Sequence, residues 1–493
     1  MEFFNTLLEP LIMLWLCLHL PDLSLEVFTR GGDDHDAPLA VWHGRGADQR
    51  ILIADAAAAR LGLRPGMGLA AAHAIASRLV ALERDAGLER GVLEGLAAWA
   101  GQFTPVISLA PPRSLLLEVG ASLVLFGGLE SLRRRVEDGV RAQGHRPELA
   151  SAPTPLAAAL LARSGRGGDV TRRDALAGAL SDLPLSCLDL SPERLERLSR
   201  MGVRRFGECL RLPRAGLARR LGRELVNDLD RALGRLPDPR PPYTPPPRFR
   251  AGLPLPAEVE DTGALLFAAH RLVLGLAGYL SGRGAGVVSL TLGLGHDHRP
   301  ATPVRLALAA PNRDADHLMM LLRERLAAVS LPAPVTGLVL DSDEIASLAP
   351  TSRALFPGAQ ADPGHAQALL ERLRARLGPE AVRGLRSVAE HRPELAWAYT
   401  RGAAPVPTVP LPPRLRPPWL LAVPRPLAAR DGRPCLDGPL ALENGPERIE
   451  SGWWDGHDVA RDYFIARDAS GACFWIFHEL REPARWFLHG IFA

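Results

Sequence analysis

The stretch DPRPPYTPPPRFR, residues 238–250, sets the first limit on what this chain can fold into. Proline fixes φ and removes an amide donor, so neither a helix nor a central strand runs through six prolines set this close. Residues 241–247 are therefore read as a stiff, extended linker. They divide a helical segment from a regular alternation of strands and helices.

Downstream, a strand near 250–256, a long helix at 260–281, the strands GVVSLTLGL and TPVRLALAA, the helix RDADHLMMLLRERLAAV and the strand VTGLVLD follow in order. The pattern is β-α-β-β-α-β, a split βαβ arrangement over residues 248–348. Upstream, residues 166–240 read as short helices with tight loops: SPERLERLSRMGV, FGECLRL, PRAGLARRLG and ELVNDLDRALG. Residues 14–165 mix both kinds of element. A strand is expected at 14–20, a helix from 22 to 29, and a hairpin in LAVWHGRGADQRILIAD. Ala/Leu-rich helices fill 70–100, TPVISLAPPRSLLLEVG gives two strands broken at Pro-Pro, and GGLESLRRRVEDGVRAQG is an amphipathic helix. The class is α+β. Residues 349–440 read as a linker and helical region built on HAQALLERLRARLG, and 441–493 as strand-like and aromatic.

The net charge of +3 conceals an uneven distribution. The chain has no lysine, so all 58 basic residues are arginine and no site can use an ε-amino group. From Ser191 to Arg250 there are 15 Arg against 7 acids, a segment charge of +8 that leaves about −5 elsewhere. The five cysteines (17, 187, 209, 435 and 473) are odd in number and never form CxxC. That argues against a zinc site or a disulfide framework and fits a reducing cytoplasm, the expected location. The apolar start MEFFNTLLEPLIMLWLCL carries Glu2 and Glu9 where a signal peptide is basic, and Pro10 and His19 bound it below transmembrane length. It is read as leading into a buried first strand, with Met13 an alternative start, and no membrane partner is expected.

In this order the segments resemble the Y-family translesion DNA polymerases. ADAAAARLGLRPGMGLAAA is similar to that family's fingers, SLLLEVGASLVLFG to the strand bearing its Asp-Glu pair, and DLPLSCLDLSPERLERLSRMGVRRFGECLRL to its thumb. The resemblance implies a palm with fingers at 14–165, a basic thumb at 166–240, the linker, a little finger at 248–348, and a C-terminal extension. The tail phrases GPERIESGWWDGHDVARDYFIARD and WFLHGIFA are similar to the signature tail of ImuB-type proteins. These are UmuC-like, polymerase-like members of bacterial damage-inducible mutagenesis cassettes that lack the catalytic acids.

Y-family enzymes hold two divalent cations on carboxylates, activating the primer oxygen and stabilising the leaving pyrophosphate. Aligned on that pattern, the first-strand ligand positions fall on His19 and Pro21; Asp22 is one residue past, facing the other way if the strand persists. In RSLLLE, Arg113 and Ser114 stand at the Asp-Glu pair, and only Glu118 keeps an acid. An arginine 4 Å from a divalent cation is repelled by about 8 kcal/mol at an effective dielectric near 20. The fingers Tyr and Arg fall on Ala56 and Ala59, with Arg60 one position along, and the palm lysine has no counterpart. The resemblance thus implies no catalytic residues, no metal and no cofactor. Asp22 and Glu26 are read as a helix N-terminal acid and a solvated helix position.

What remains is a surface for DNA. Arg204, Arg205, Arg211, Arg214, Arg219 and Arg220 cluster around short helix-turn-helix segments, with Gly202 placed for a hairpin between helices. Such groups meet phosphates without reading bases. Six neutralised phosphates give a log–log salt slope of about −5. Arg283 and Arg305 flank strands that can lie along a duplex. The competing reading is a solvated, acid-paired helical face.

SRALF, with Ser352, Leu355 and Phe356, stands where the resemblance places a clamp-binding motif; Leu355 and Phe356 are its apolar anchors and Ser352 replaces the Gln. A local packing contact is the alternative. Asp455, His457, Asp458 and Asp462 have the composition of a metal site, but WWDGHD is rather expected to be a hairpin turn with its tryptophans on the buried face. The partners implied by the resemblance are DNA, the sliding clamp, a RecA-like ImuA-type companion and an error-prone DnaE-type polymerase. The leading reading is a non-catalytic scaffold for translesion synthesis. Its alternatives are an active polymerase using shifted acids (Asp22, Glu26, Glu118) and a protein–protein adaptor without DNA binding.

Overall fold

The computed structural model describes residues 13–31, 37–348, 363–378, 380–400 and 416–492. The chain adopts the α+β class, in two compact units, Met1–Arg376 and Leu377–Ala493.

The first strand, Trp15–His19, is the middle of a five-stranded sheet. It pairs antiparallel with Ser114–Glu118 on one side and Glu148–Ala152 on the other. Both faces are covered, which is why its sequence is continuously apolar rather than alternating. Leu14, Leu16, Leu18 and Leu20 pack with Leu93 and Leu96 of helix Ala86–Ala100 and with Leu132, Val136 and Val140 of helix Leu129–Ala142. Trp15 and Cys17 face the other way, into a core shared with helix Pro155–Arg163 and the basic segment. The helix Ala86–Ala100 begins where Asp85 accepts hydrogen bonds from the N–H groups of Gly87 and Leu88. A separate three-stranded sheet (Arg50–Ala54, Leu39–His43, Val80–Glu83) carries the short helices Ala56–Arg60 and Leu69–Ile75.

Four helices make the basic segment: Pro192–Arg200, Phe206–Arg211, Arg214–Leu221 and Arg223–Ala232. Gly202 between the first two has φ +76°, the left-handed conformation that the tight turn demands. Beneath them Leu198, Phe206, Leu217, Leu225 and Leu229 form one core with the sheet. The linker is held to the sheet edge: Tyr243 N–H donates to the Ile107 carbonyl (2.7 Å), and its hydroxyl to that of Glu94 (3.1 Å).

The β-α-β-β-α-β order after the linker is observed. Its sheet runs Arg299–Asn312, Ala285–His296, Val335–Ser347, Arg250–Val259, with every neighbour antiparallel. Each helical crossover therefore skips one strand, which is the split βαβ arrangement twice over. The helix Thr262–Gly282 is long and apolar enough to cross a membrane; here Leu265, Leu272, Val273, Leu276 and Leu280 belong to the core. Its Gly278 lies against Trp99, whose ring would be 2.1 Å from an added Cβ; on another side Gly139 would leave only 2.3 Å. The indole is thus seated between two glycines from two helices, and no larger residue fits either place.

The second unit is a six-stranded antiparallel sheet in the order Arg433–Cys435, Trp419–Arg430, Trp486–Ile491, Cys473–Glu479, Val459–Arg467, Ala441–Ser451, with a small hairpin of Gly384–Ser387 and Trp397–Thr400. Tyr463 stacks on Trp475 at 4.1 Å between ring centroids and shares a 2.7 Å hydrogen bond with His489 Nδ1. The strand Trp419–Arg430 corrects the reading of 349–440 as linker and helix. Its prolines hid it: the register shifts between Leu420 and Arg425, and Pro426 sits opposite Phe487 without needing a donor.

Candidate nucleic-acid interface and the neighbouring cleft

The first strand ends at His19, paired in register with Ser114. Their side chains meet at 2.9 Å, Nδ1 to Oγ. Burial, with help from Arg163 and Arg113, pushes His19 down to about 4, so the ring is neutral. Arg113 Nη1 donates to the Pro21 carbonyl at 2.9 Å. The four positions His19, Pro21, Arg113 and Ser114 thus form two hydrogen-bonded pairs of neutral and cationic groups.

Of the acids weighed as ligands, Glu118 and Glu26 are engaged elsewhere, and Asp22 lies within electrostatic reach of Arg113; Glu148 stands opposite His19 on the other neighbouring strand. Glu118 pairs with Trp15 at the opposite end of the strand, about 13 Å away along four residues of extended chain. Its Oε1 accepts from the N–H groups of Leu14 (3.3 Å) and Gly120 (3.1 Å). Asp22 precedes helix Leu23–Thr29 without a side-chain capping bond, and burial followed by the charge of Glu26 raises its carboxyl.

Glu26 corrects the expectation of a solvated position: it is 6% exposed. Its carboxylate accepts from Arg146 N–H (2.8 Å) and from His145 Nδ1 (2.7 Å). His145 Nε2 accepts in turn from Arg30 Nη1 (3.0 Å), and Arg30 Nη2 donates to the Gly252 carbonyl (3.1 Å). Neutral His145, protonated on Nδ1, satisfies both contacts. This chain of bonds ties the first helix to the strand Arg250–Val259, a structural task for an acid that sequence spacing could not reveal. Among the described residues, no group of three or more His, Cys, Asp or Glu side chains is placed to hold a metal ion. Ala56 and Ala59 lie on the short helix Ala56–Arg60, where Arg60 Nε donates to the Ala56 carbonyl at 3.1 Å.

The six candidate arginines, Arg204, Arg205, Arg211, Arg214, Arg219 and Arg220, are all exposed, but they are not equivalent. Arg205 pairs with Asp182 (3.0 Å), and Arg214 forms a bidentate pair with Asp230. Arg211 Nε reaches only the Gly207 carbonyl (3.4 Å), and Arg220 only the Met201 sulfur (3.9 Å). No carboxylate among the described residues pairs with Arg204, Arg211, Arg219 or Arg220. Glu208 reaches back to the N–H groups of Arg204 (2.7 Å) and Arg205 (3.0 Å), which hold its carboxyl below the usual range. The amides of that turn are thus already occupied by a carboxylate. The Arg205-x-x-Glu208 spacing is a helix-start pattern that could have announced this.

Arg283 stands elsewhere, over the Tyr279 ring (5.3 Å) at the rim of a cavity of about 430 Å³ that Gln102, Thr104 and Tyr243 also line. Arg305 is exposed on the edge strand Arg299–Asn312. Ser352, Leu355 and Phe356 lie outside the described residues.

The WWDGHD stretch does join two paired strands, Ala441–Ser451 and Val459–Arg467. Its tryptophans are not on the buried face, however: Trp453 is 80% and Trp454 58% exposed. Tyr463, Trp475 and Phe477 fill the core in their place. Each acid there is bound to an arginine, Asp455 to Arg392, Asp458 to Arg481 and Asp462 to Arg448.

No family model matches the chain. Protein ImuB of Caulobacter vibrioides (strain NA1000 / CB15N) is 28% identical over 466 residues, covering 88% of this chain and 100% of that protein. ImuB of the strain ATCC 19089 / CIP 103742 / CB 15 gives the same figures. The ImuB-type resemblance read from the residues is borne out across most of the chain. Among solved structures, DinB from Sulfolobus solfataricus is similar at a TM-score of 0.39 and 16% identity, covering 67% of this chain and 98% of that one. An insertion ternary complex of Dbh DNA polymerase is similar at 0.39 and 16%, covering 68% and 100%.

Proposed function

We propose that this ImuB-like chain is a DNA-binding, polymerase-like scaffold in damage-induced translesion synthesis that does not itself join nucleotides. The observation that carries the reading is the hydrogen-bonded set His19, Pro21, Arg113 and Ser114, standing where the resemblance puts metal ligands. Two-metal chemistry needs carboxylates converging on one point; Glu118 is spent on backbone amides at the far end of the strand.

On this reading residues 14–165 are a palm and fingers retained as a platform. Residues 166–240 are a thumb whose unpaired arginines take backbone phosphates, and 248–348 are a little finger. The sliding clamp, a RecA-like companion and a DnaE-type polymerase are the partners the resemblance supplies, with the last performing synthesis. The region 349–440 is assigned to the clamp contact, and surfaces of 441–493 other than the Trp453–Trp454 loop to the protein partners.

Primer extension by the purified full chain, with Mg²⁺ or Mn²⁺ and four nucleotides, tests it. The expected result is no incorporation while the primer–template stays bound. Metal-dependent incorporation that is lost on neutralising Asp22 or Glu118 would refute it. Absence of DNA binding at low salt would favour the adaptor reading.

A further inference from the structure

Trp453 and Trp454 are the least expected side chains in the second unit: adjacent, largely exposed, and T-shaped at 5.4 Å between centroids. Exposed indoles normally sit on mobile chain, where they cost little. These sit on a loop held from below. Arg392, with 3% of its side chain exposed, donates to Asp455 through both terminal nitrogens (3.0 and 2.6 Å), to Glu390 Oε2 (2.8 Å) and to the His457 carbonyl (3.0 Å). Glu390 also accepts from Ser451 Oγ at 3.3 Å. Gly452, with φ +89°, lets the backbone pass Arg392; a Cβ there would come within 2.5 Å of the guanidinium. The Arg392 guanidinium lies 5.8 Å from the Trp454 ring centroid. The loop is therefore preorganised to present two rings to solvent.

Two classes of macromolecule use such rings. A protein hot spot needs an apolar surround that excludes water from its centre. Here the neighbours on the loop are Asp455, Gly456, His457 and Asp458, with Arg481 bound to Asp458 and Glu390 bound to Arg392. The loop's own neighbours of the indoles are polar and their carboxylates are paired, with Leu480 beside Arg481 the one exposed apolar side chain next to that ion pair in sequence. Stacking of an unpaired base needs no apolar rim, only an exposed π-face held still in polar surroundings.

We propose that Trp453 and Trp454 form a stacking platform for unpaired nucleobases, a second nucleic-acid site separate from the basic segment. The site binds bases, not phosphates. Its salt dependence is therefore shallow, unlike that of an arginine cluster.

The test uses the full chain carrying Arg219→Gln and Arg220→Gln, with intrinsic tryptophan emission followed on titration with oligo(dT) at about 1 M salt, where the Debye length is about 3 Å. Saturable quenching is expected. Trp453→Ala and Trp454→Ala should each weaken binding about 5- to 150-fold, with partial recovery in Trp453→Phe. Both indoles are exposed, so these changes leave the fold intact, which circular dichroism verifies. An oligonucleotide of abasic sites should bind no better to the unchanged loop than to Trp453→Ala. Titration with thymidine monophosphate separates the sources: weak binding assigns the site to single strands, and binding equal to that of the oligomer assigns it to free nucleotides. Oligo(dT) affinity unchanged when both indoles are removed, or abasic strands bound as tightly as oligo(dT), would overturn the proposal.

Discussion

Replacing Arg219 and Arg220 by Gln tests the DNA-binding account most directly, because the structure fixes how many guanidiniums are available. Of the six candidate phosphate contacts among the 15 arginines of the basic segment, Arg205 and Arg214 already neutralise Asp182 and Asp230. Four remain: Arg204, Arg211, Arg219 and Arg220. At about −0.9 in the log–log salt slope for each phosphate neutralised, the unchanged chain should show about −3.6 rather than the −5 implied by six. Raising salt from about 50 to 200 mM then costs roughly 150-fold in affinity; with two arginines gone, the slope falls to about −1.8 and the loss to roughly 12-fold. Fluorescence anisotropy with a labelled primer–template, repeated at four or five salt concentrations, measures both. Charge reversal at the same two positions should weaken binding to all DNA sequences alike, since phosphates carry no sequence information. A slope that does not change in the Gln/Gln variant would remove these residues from the DNA contact. A slope steeper than −5 in the unchanged chain would mean that more arginines than these four, such as Arg205, Arg214 or Arg283, meet phosphate.

Two further outcomes concern the scaffold. His19 and His489 are each pushed down by burial to about 4, and burial lowers His145 as well. The unfolded chain therefore binds protons first as pH falls below about 6.5, so stability should decline between about pH 6.5 and 4, by order of 1 to 3 kcal/mol for each of His19 and His489, with His145 acting in the same direction; denaturant midpoints across that range measure it, and a flat profile would contradict the burial. Glu26→Ala should destabilise the chain by about 3 to 5 kcal/mol, since it strips His145 and the Arg146 amide of their acceptor and leaves Arg30 facing an unanchored ring. Glu26→Ala lowering a nucleotide-transfer activity with the unfolding midpoint unmoved would instead restore Glu26 to a catalytic role.

Much of the architecture was legible because it is written in local periodicity. The two crossovers after the linker follow from alternating apolar strands and helices of ordinary length, and the split strand order follows from their packing. Three things were not legible, for one physical reason: each depends on a partner far along the chain. Glu26 looks solvated on its helix until His145 and Arg146 are brought to it. Arg205 and Arg214 look free until Asp182 and Asp230 fold against them. Trp453 and Trp454 look like core until Tyr463, Trp475 and Phe477 are seen to have filled it. The strand Trp419–Arg430 failed differently, since its prolines obey the rule for non-strand sequence and are tolerated where the register slips, at Pro424, or where no donor is needed, at Pro426.

The Arg113–Pro21 contact makes the proposed loss of chemistry hard to reverse. A carboxylate placed at 113 would deprive the Pro21 carbonyl of its donor, and it would face His19, a ring that is neutral and already engaged with Ser114. Changing Ser114 or His19 alone would likewise orphan the other. No single substitution in this corner brings a metal-binding pair into being, and each change at His19, Arg113 or Ser114 removes a bond the present fold uses. On the proposed reading, restoring a carboxylate pair in this corner takes several coordinated replacements rather than one.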